Sequence, residues 1–141
     1  MKKTEELINE IKNTENVGSF IAENRNELLD MSLSAYLNEM LKKYGVKKSD
    51  LFRRAGQDGS TYGYELFRSD AKVPSRDILL SLCLAFPLEV EEVQKALRCA
   101  GLAILYPRNA RDAYIIYAFE KKLTIEQLDE LLGKHKYNGF L

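Results

Sequence analysis

Apolar positions along this chain recur every three to four residues, the spacing of one helix face, and no stretch alternates as a half-buried strand would. In residues 4–12, Leu7, Ile8 and Ile11 form one stripe, with Thr4 placed as N-cap and Glu5 and Glu6 in the first turn, where the helix dipole favours acids. Val17, Phe20 and Ile21 form a second stripe, separated from the first by Asn13-Thr14-Glu15-Asn16. Both segments are too short to be stable alone, and they read as an acidic arm that must pack on the domain or on a second subunit. Leu33, Leu37, Met40, Leu41 and Tyr44 then repeat behind a Ser32 or Ser34 cap until Gly45, with Tyr36 and Tyr44 expected in the core or at its edge. Further on, Ser75 is placed to cap a helix carrying Ile78, Leu79, Leu82, Cys83, Ala85 and Phe86, which Pro87 stops. Val90, Val93, Ala96, Leu97 and Ala100 mark the next helix, which ends at Gly101. Beyond Pro107, Asn109 caps a helix with Ala113, Ile116, Ala118 and Phe119. The capping box Thr124-Ile125-Glu126-Gln127 opens a last one with Ile125, Leu128, Leu131 and Leu132. The pattern predicts an all-α chain with an N-terminal helical arm (1–31), a compact five-helix domain (32–105) and a C-terminal helical hairpin with its tail (106–141). That hairpin is apolar enough to need a partner surface, either the domain's own core or a second copy.

Residues 46–76 read as two short helices with a glycine-bearing corner. The first spans 48–55 with Leu51 and Ala55 on one face, and the second spans 60–68 with Tyr62 and Leu66 inward. Gly56 stands where a helix C-terminus takes a left-handed residue, and Gly59 loosens the corner. Two short helices joined through a three- or four-residue glycine-containing turn are the helix-turn-helix pattern. At about 100° per residue, Thr61, Tyr64 and Arg68 point away from the core with Ser60 beside them, and they still do if Gly63 and Phe67 are the inward pair. Hydroxyl, phenol and guanidinium groups on such a face can meet base edges and phosphates in a major groove.

Composition narrows the rest. A chain of 141 residues fits one modest core with appendages. Nothing approaches eighteen consecutive apolar residues, and no apolar segment follows the charged start, so neither a membrane span nor a secretory signal is expected. Cys83 and Cys99 lie inside apolar helical patterns and read as buried thiols in a reduced, cytoplasmic setting. The formal net charge is zero, but the charge is segregated: 31–76 carries a balance of +4 and 1–30 a balance of −3. The positive part coincides with the helix-turn-helix pattern, the footprint of a small nucleic-acid binder. The one histidine, His135, sits in a loose tail, and acid pairs such as Glu91 and Glu92 read as solvated surface charge. No metal-ligand spacing and no phosphate-cradling glycine loop after a strand is present. The chain reads as non-enzymatic, with no cofactor and no metal.

With these residues in hand, 32–105 resembles the DNA-binding domain of the xenobiotic-response-element (XRE) family, the phage-repressor-like helix-turn-helix regulators. The resemblance is carried by Lys48-Ser49-Asp50-Leu51 through Ala55-Gly56, by Ser60-Thr61-Tyr62-Gly63-Tyr64, and by Lys72-Val73-Pro74-Ser75-Arg76-Asp77. A narrower likeness, to small regulators from Gram-positive bacteria, is carried by Ser34-Ala35-Tyr36-Leu37-Asn38, by Thr61-Tyr62-Gly63-Tyr64 and by Leu105-Tyr106-Pro107-Arg108-Asn109-Ala110-Arg111-Asp112-Ala113. It implies a five-helix repressor-like fold and a bacterial transcription regulator that binds double-stranded DNA, assembled as a homodimer through its flanking helices. Lys48 and Ser49 would then hold phosphates, Thr61 and Tyr64 would face base edges with Ser60 at the groove entrance, and Arg68 would reach a guanine or a phosphate. Lys72 and Arg76 would close the backbone grip. Two positions depart from the pattern. Phe52 stands where a small residue is usual, which would hold the two helices further apart, and Gln57 stands where an apolar residue plugs the turn. With Asp58 and Glu65 near the same face, they define an alternative: a protein–protein interaction adaptor whose helix-turn-helix no longer reads DNA.

Overall fold

The computed structural model describes residues 2–25, 31–56, 61–68 and 73–141, with Thr61 and Tyr62 described by backbone alone. Among these residues the chain is all-helical, with nine helices and no strand: α1 (Thr4–Asn13), α2 (Val17–Glu23), α3 (Leu33–Tyr44), α4 (Lys48–Arg54), α5 (Thr61–Arg68), α6 (Arg76–Ala85), α7 (Val90–Cys99), α8 (Ala110–Glu120) and α9 (Ile125–Lys134). No helix among them is long and apolar enough to cross a membrane. The chain divides into two compact units, Met1–Asp30 and Met31–Leu141.

Local chemistry explains most of the helix ends. Ser32, Ser75 and Asn109 each accept a bond from the backbone N–H three residues on, and Thr124 and Gln127 exchange both bonds of a capping box. The α1 start is different. Thr4 is already helical, so its hydroxyl caps nothing, and Lys3 precedes it without a capping side chain. In the first unit, Phe20 and Asn24 are the buried residues among those described, while Ile8, Ile11, Val17 and Ile21 stay exposed. What ties α1 to α2 is polar. The Asn24 amide donates to Glu10 (2.9 Å) and to the Phe20 carbonyl (3.0 Å), and Lys2 Nζ donates to Asn24 Oδ1 (2.6 Å).

In the second unit one core gathers Leu37 of α3, Leu51 of α4, Leu66 of α5, Leu79 and Leu82 of α6, Leu97 of α7, Ile115 of α8 and Leu128 and Leu132 of α9. The surface that the C-terminal hairpin needs is therefore supplied by α3–α7. In α8 the inward arc runs through Asp112, Ile115, Ala118 and Phe119, while Ala113, expected inward, is exposed. Asp112 explains the rotation, because an ion pair described below draws it toward α6. Glu92 also departs from expectation. Its carboxylate takes bonds from Lys43 Nζ (2.6 Å), the Tyr44 hydroxyl and the Glu89 N–H (2.9 Å), so it staples α3 to α7. Burial works to raise its pKa, but the Lys43 and Tyr44 donors and the Glu89 N–H outweigh it and hold the carboxyl below its ordinary range. Cys83 is fully buried, and desolvation pushes its thiol up to about 12, which makes it inert.

The α4–α5 contact is a large side chain fitted to a missing one. Phe52 is 1% exposed, and Gly63 lies over its ring so closely that a Cβ there would come within 2.7 Å of Phe52 Cε1. Phe67 meets the same ring edge-on at 5.7 Å. The bulk at position 52 is thus absorbed by the glycine. Gly63→Ala should destabilise the protein, since overpacking costs about 1–3 kcal/mol against a helix-propensity gain of about 1 kcal/mol. In a Phe52→Leu background the clash is gone and the same substitution should stabilise. Urea denaturation of the four proteins measures this, and an unchanged sign would contradict the packing described.

Candidate nucleic-acid interface

Helix α4 ends at Arg54, and among the described residues α5 begins at Thr61. Ala55 closes α4, and Gly56 follows at φ 72°, in the left-handed region that suits glycine. Residues 57–60 lie outside the described set, and with them Ser60, Gln57, Asp58 and Gly59.

Helix α5 is anchored from one side. Gly63, Leu66 and Phe67 are buried, and Asn38 of α3 donates to the Phe67 carbonyl at 2.7 Å, satisfying an acceptor in the last turn of α5. The opposite side faces outward. Tyr64 is 39% exposed, its ring resting on Phe52 with centroids 4.4 Å apart, and Arg68 is exposed. The phenol is held by a ring contact rather than standing free, which fixes where its hydroxyl can point. At the start of α4, Ser49 is exposed, and Lys48 Nζ sits 5.4 Å from the centre of the Phe67 ring, a cation–π arrangement that brings the two helices' polar ends together. Thr61 opens α5, its side chain undescribed, and Lys72 is outside the described residues. Glu65 is half-buried.

Arg76 has a different role from the phosphate clamp expected of it. Its guanidinium donates to Asp112 from Nη1 (2.9 Å) and Nη2 (2.7 Å), to the Ala103 carbonyl from Nε (2.9 Å) and to the Ile104 carbonyl from Nη2 (3.1 Å). Four of its five N–H donors are engaged inside the chain, which leaves no forked pair for a phosphate. A second pair runs the other way, with Arg111 forked onto Asp77 at 3.0 and 3.1 Å. The Arg-Asp dipeptides that open α6 and α8 thus exchange partners, a crossed double bridge. It places most of the 105–113 motif as internal fastening: Asp112 also accepts the Tyr106 N–H, and Asn109 caps α8. Arg111 further donates to the Asn138 carbonyl and lies over the Phe140 ring.

Elsewhere, His135 is exposed but not loose, since it stacks on Tyr114 with centroids 5.1 Å apart. Among the described residues no group of three or more His, Cys, Asp or Glu is placed to hold a metal ion.

Burial works to raise the Asp112 pKa, but the Arg76 bonds, the Tyr106 N–H and the charges of Arg76 and Arg111 together hold it below the ordinary aspartate value. Its stabilising contribution is therefore complete above about pH 4 and drains away as pH falls through the lowered value. Asp112→Asn should cost about 3 kcal/mol near neutrality and flatten the acid limb of the stability curve. Denaturation followed from pH 7 to pH 2 measures both, and an unaltered acid limb would remove Asp112 from this role.

No family model, curated protein or solved structure matches the chain.

Proposed function

We propose that this protein is a sequence-specific, DNA-binding transcription regulator whose α4–α5 segment is a helix-turn-helix laid into the major groove. The supporting observation is the two-sidedness of α5. One side is fixed to the core through Gly63, Leu66, Phe67 and the Asn38 bond, while Tyr64 and Arg68 occupy the other. A rigid rod with hydrogen-bonding groups on its outer side is what base readout requires. In this reading Tyr64 and Thr61 meet base edges, Arg68 meets a guanine or a phosphate, and Lys48, Ser49, Ser60 and Lys72 grip the backbone. Arg76 has no part in the contact. A tyrosine and a threonine discriminate less than a bidentate arginine or asparagine does. Useful specificity then calls for a homodimer on two half-sites about 34–36 Å apart.

Duplex titrations at two salt concentrations test the proposal. A reader of DNA loses affinity steeply with salt, with a log–log slope of about −0.9 for each phosphate contacted. A protein-interaction adaptor binds no duplex tightly at either concentration. Tyr64→Phe combined with Arg68→Ala keeps the ring on Phe52 and removes the hydroxyl and guanidinium. It should erase preference among duplexes, at about 1–3 kcal/mol for each lost base contact, while leaving the denaturation midpoint nearly unchanged. Preserved discrimination in that double variant would contradict the assignment of α5.

A further inference from the structure

Between the α6–α7 junction and the α8–α9 turn lies a cavity of about 470 Å³, within the range of about 300–1,000 Å³ usual for small-molecule sites. Its walls are mainly apolar: Leu84, Pro87 and Leu123 supply accessible surface, while Phe86, Leu88, Phe119 and Ile125 are buried behind them. The charged groups that line it are two cations, Arg54 and Lys122, and one acid, Glu126.

The two cations are held very differently. Lys122 takes a left-handed backbone conformation, φ 54°, that costs a non-glycine residue energy. From there its ammonium reaches the Leu88 carbonyl at 2.9 Å and ties the α8–α9 turn to the α6–α7 junction. It is part of the wall. Among the described residues Arg54 has one long contact, 3.5 Å from Nη1 to the Ala85 carbonyl, which leaves most of its five donors uncommitted to them. Lys122 also pairs with Glu89 at 3.5 Å, so Arg54 is the cation left to meet a ligand, and its guanidinium beside an apolar surface complements a molecule with one anionic end and one hydrocarbon end. Arg54 is also the last residue of α4, so whatever it binds touches the first helix of the α4–α5 pair.

We propose that this cavity binds a small amphipathic carboxylate, its anionic end forked onto Arg54 and its hydrocarbon part lying on Leu84, Pro87 and Leu123. The pairing suits guanidinium, which matches a carboxylate in two parallel bonds.

The test is titration of the full chain, without DNA, with sodium octanoate below its micelle threshold, followed by amide chemical shifts. Octanol and octylammonium serve as neutral and cationic probes of the same length. Octanoate should bind saturably and tightest of the three, with shifts concentrated at 84–88 and 118–126. Arg54→Ala should weaken it about tenfold, a factor worth about 1.4 kcal/mol, and Arg54→Lys should restore part of the loss. Lys121→Ala, which removes an exposed cation outside the cavity, should leave affinity unchanged. Equal binding of octylammonium, full affinity in Arg54→Ala, shifts centred elsewhere or no saturation at millimolar octanoate would each overturn the proposal. Because the probe-ranking comparison needs no variant, an Arg54 variant that fails to fold leaves the outcome decidable. No duplex enters the measurement, so its failure is separate from failure of the DNA-binding proposal.

Discussion

A phenylalanine ring that must be buried and a glycine that leaves room for it determine how α5 lies in this protein. Phe52 is inside the core, and Gly63 crosses directly over it. With that contact set, Leu66 and Phe67 face the same way as Gly63, and about 100° per residue carries Tyr64 and Arg68 outward. A larger residue at 63 would lift or roll the helix, and the outward set would change with it. The outward placement of Tyr64 and Arg68 therefore depends on a packing match in the hydrophobic core.

The rest of the second unit is fastened by a few polar links that cross long stretches of sequence. Arg76 and Asp112 bridge α6 to α8, and Arg111 and Asp77 return the bridge. Glu92 gathers Lys43 and Tyr44 of α3 onto α7, and Asn38 holds the last turn of α5. The pairs differ in exposure. The Asp112 side chain is 8% exposed, whereas that of Asp77 is 49% exposed. Solvent screens the second pair far more than the first, so Arg76–Asp112 is the link whose loss would be felt. By these links and the shared core, α8 and α9 belong to the same packing unit as α3–α7.

Much of this was legible in the sequence because it is local. Caps at Ser75, Asn109 and Thr124, and the left-handed glycine at 56, follow from chemistry within a few residues, and the structure has them. What escaped was set by distant partners. The inward roll of α8, with Ile115 rather than Ala113 in the core, needs the Arg76 pairing to explain it. Arg76 itself looked like a phosphate ligand because it sits beside the free N–H groups of α6, and nothing local reveals Asp112 facing it. One signal was present, the repeated Arg-Asp at 76–77 and 111–112, each just inside a helix start. Glu92 read as solvated for the same reason, since Tyr44 lies 48 residues away along the chain. Phe52 is a mismatch only by itself, because Gly63 across from it supplies the room.

The most direct measurement is hydrogen exchange of the full chain with and without an operator duplex selected from a random pool. Protection is predicted within 46–76, strongest across α4 and α5, with α8 and α9 exchanging as in the free protein. Selection that yields no enriched duplex, or protection confined to the α8–α9 surface while α5 exchanges freely, would contradict a major-groove role for Tyr64 and Arg68.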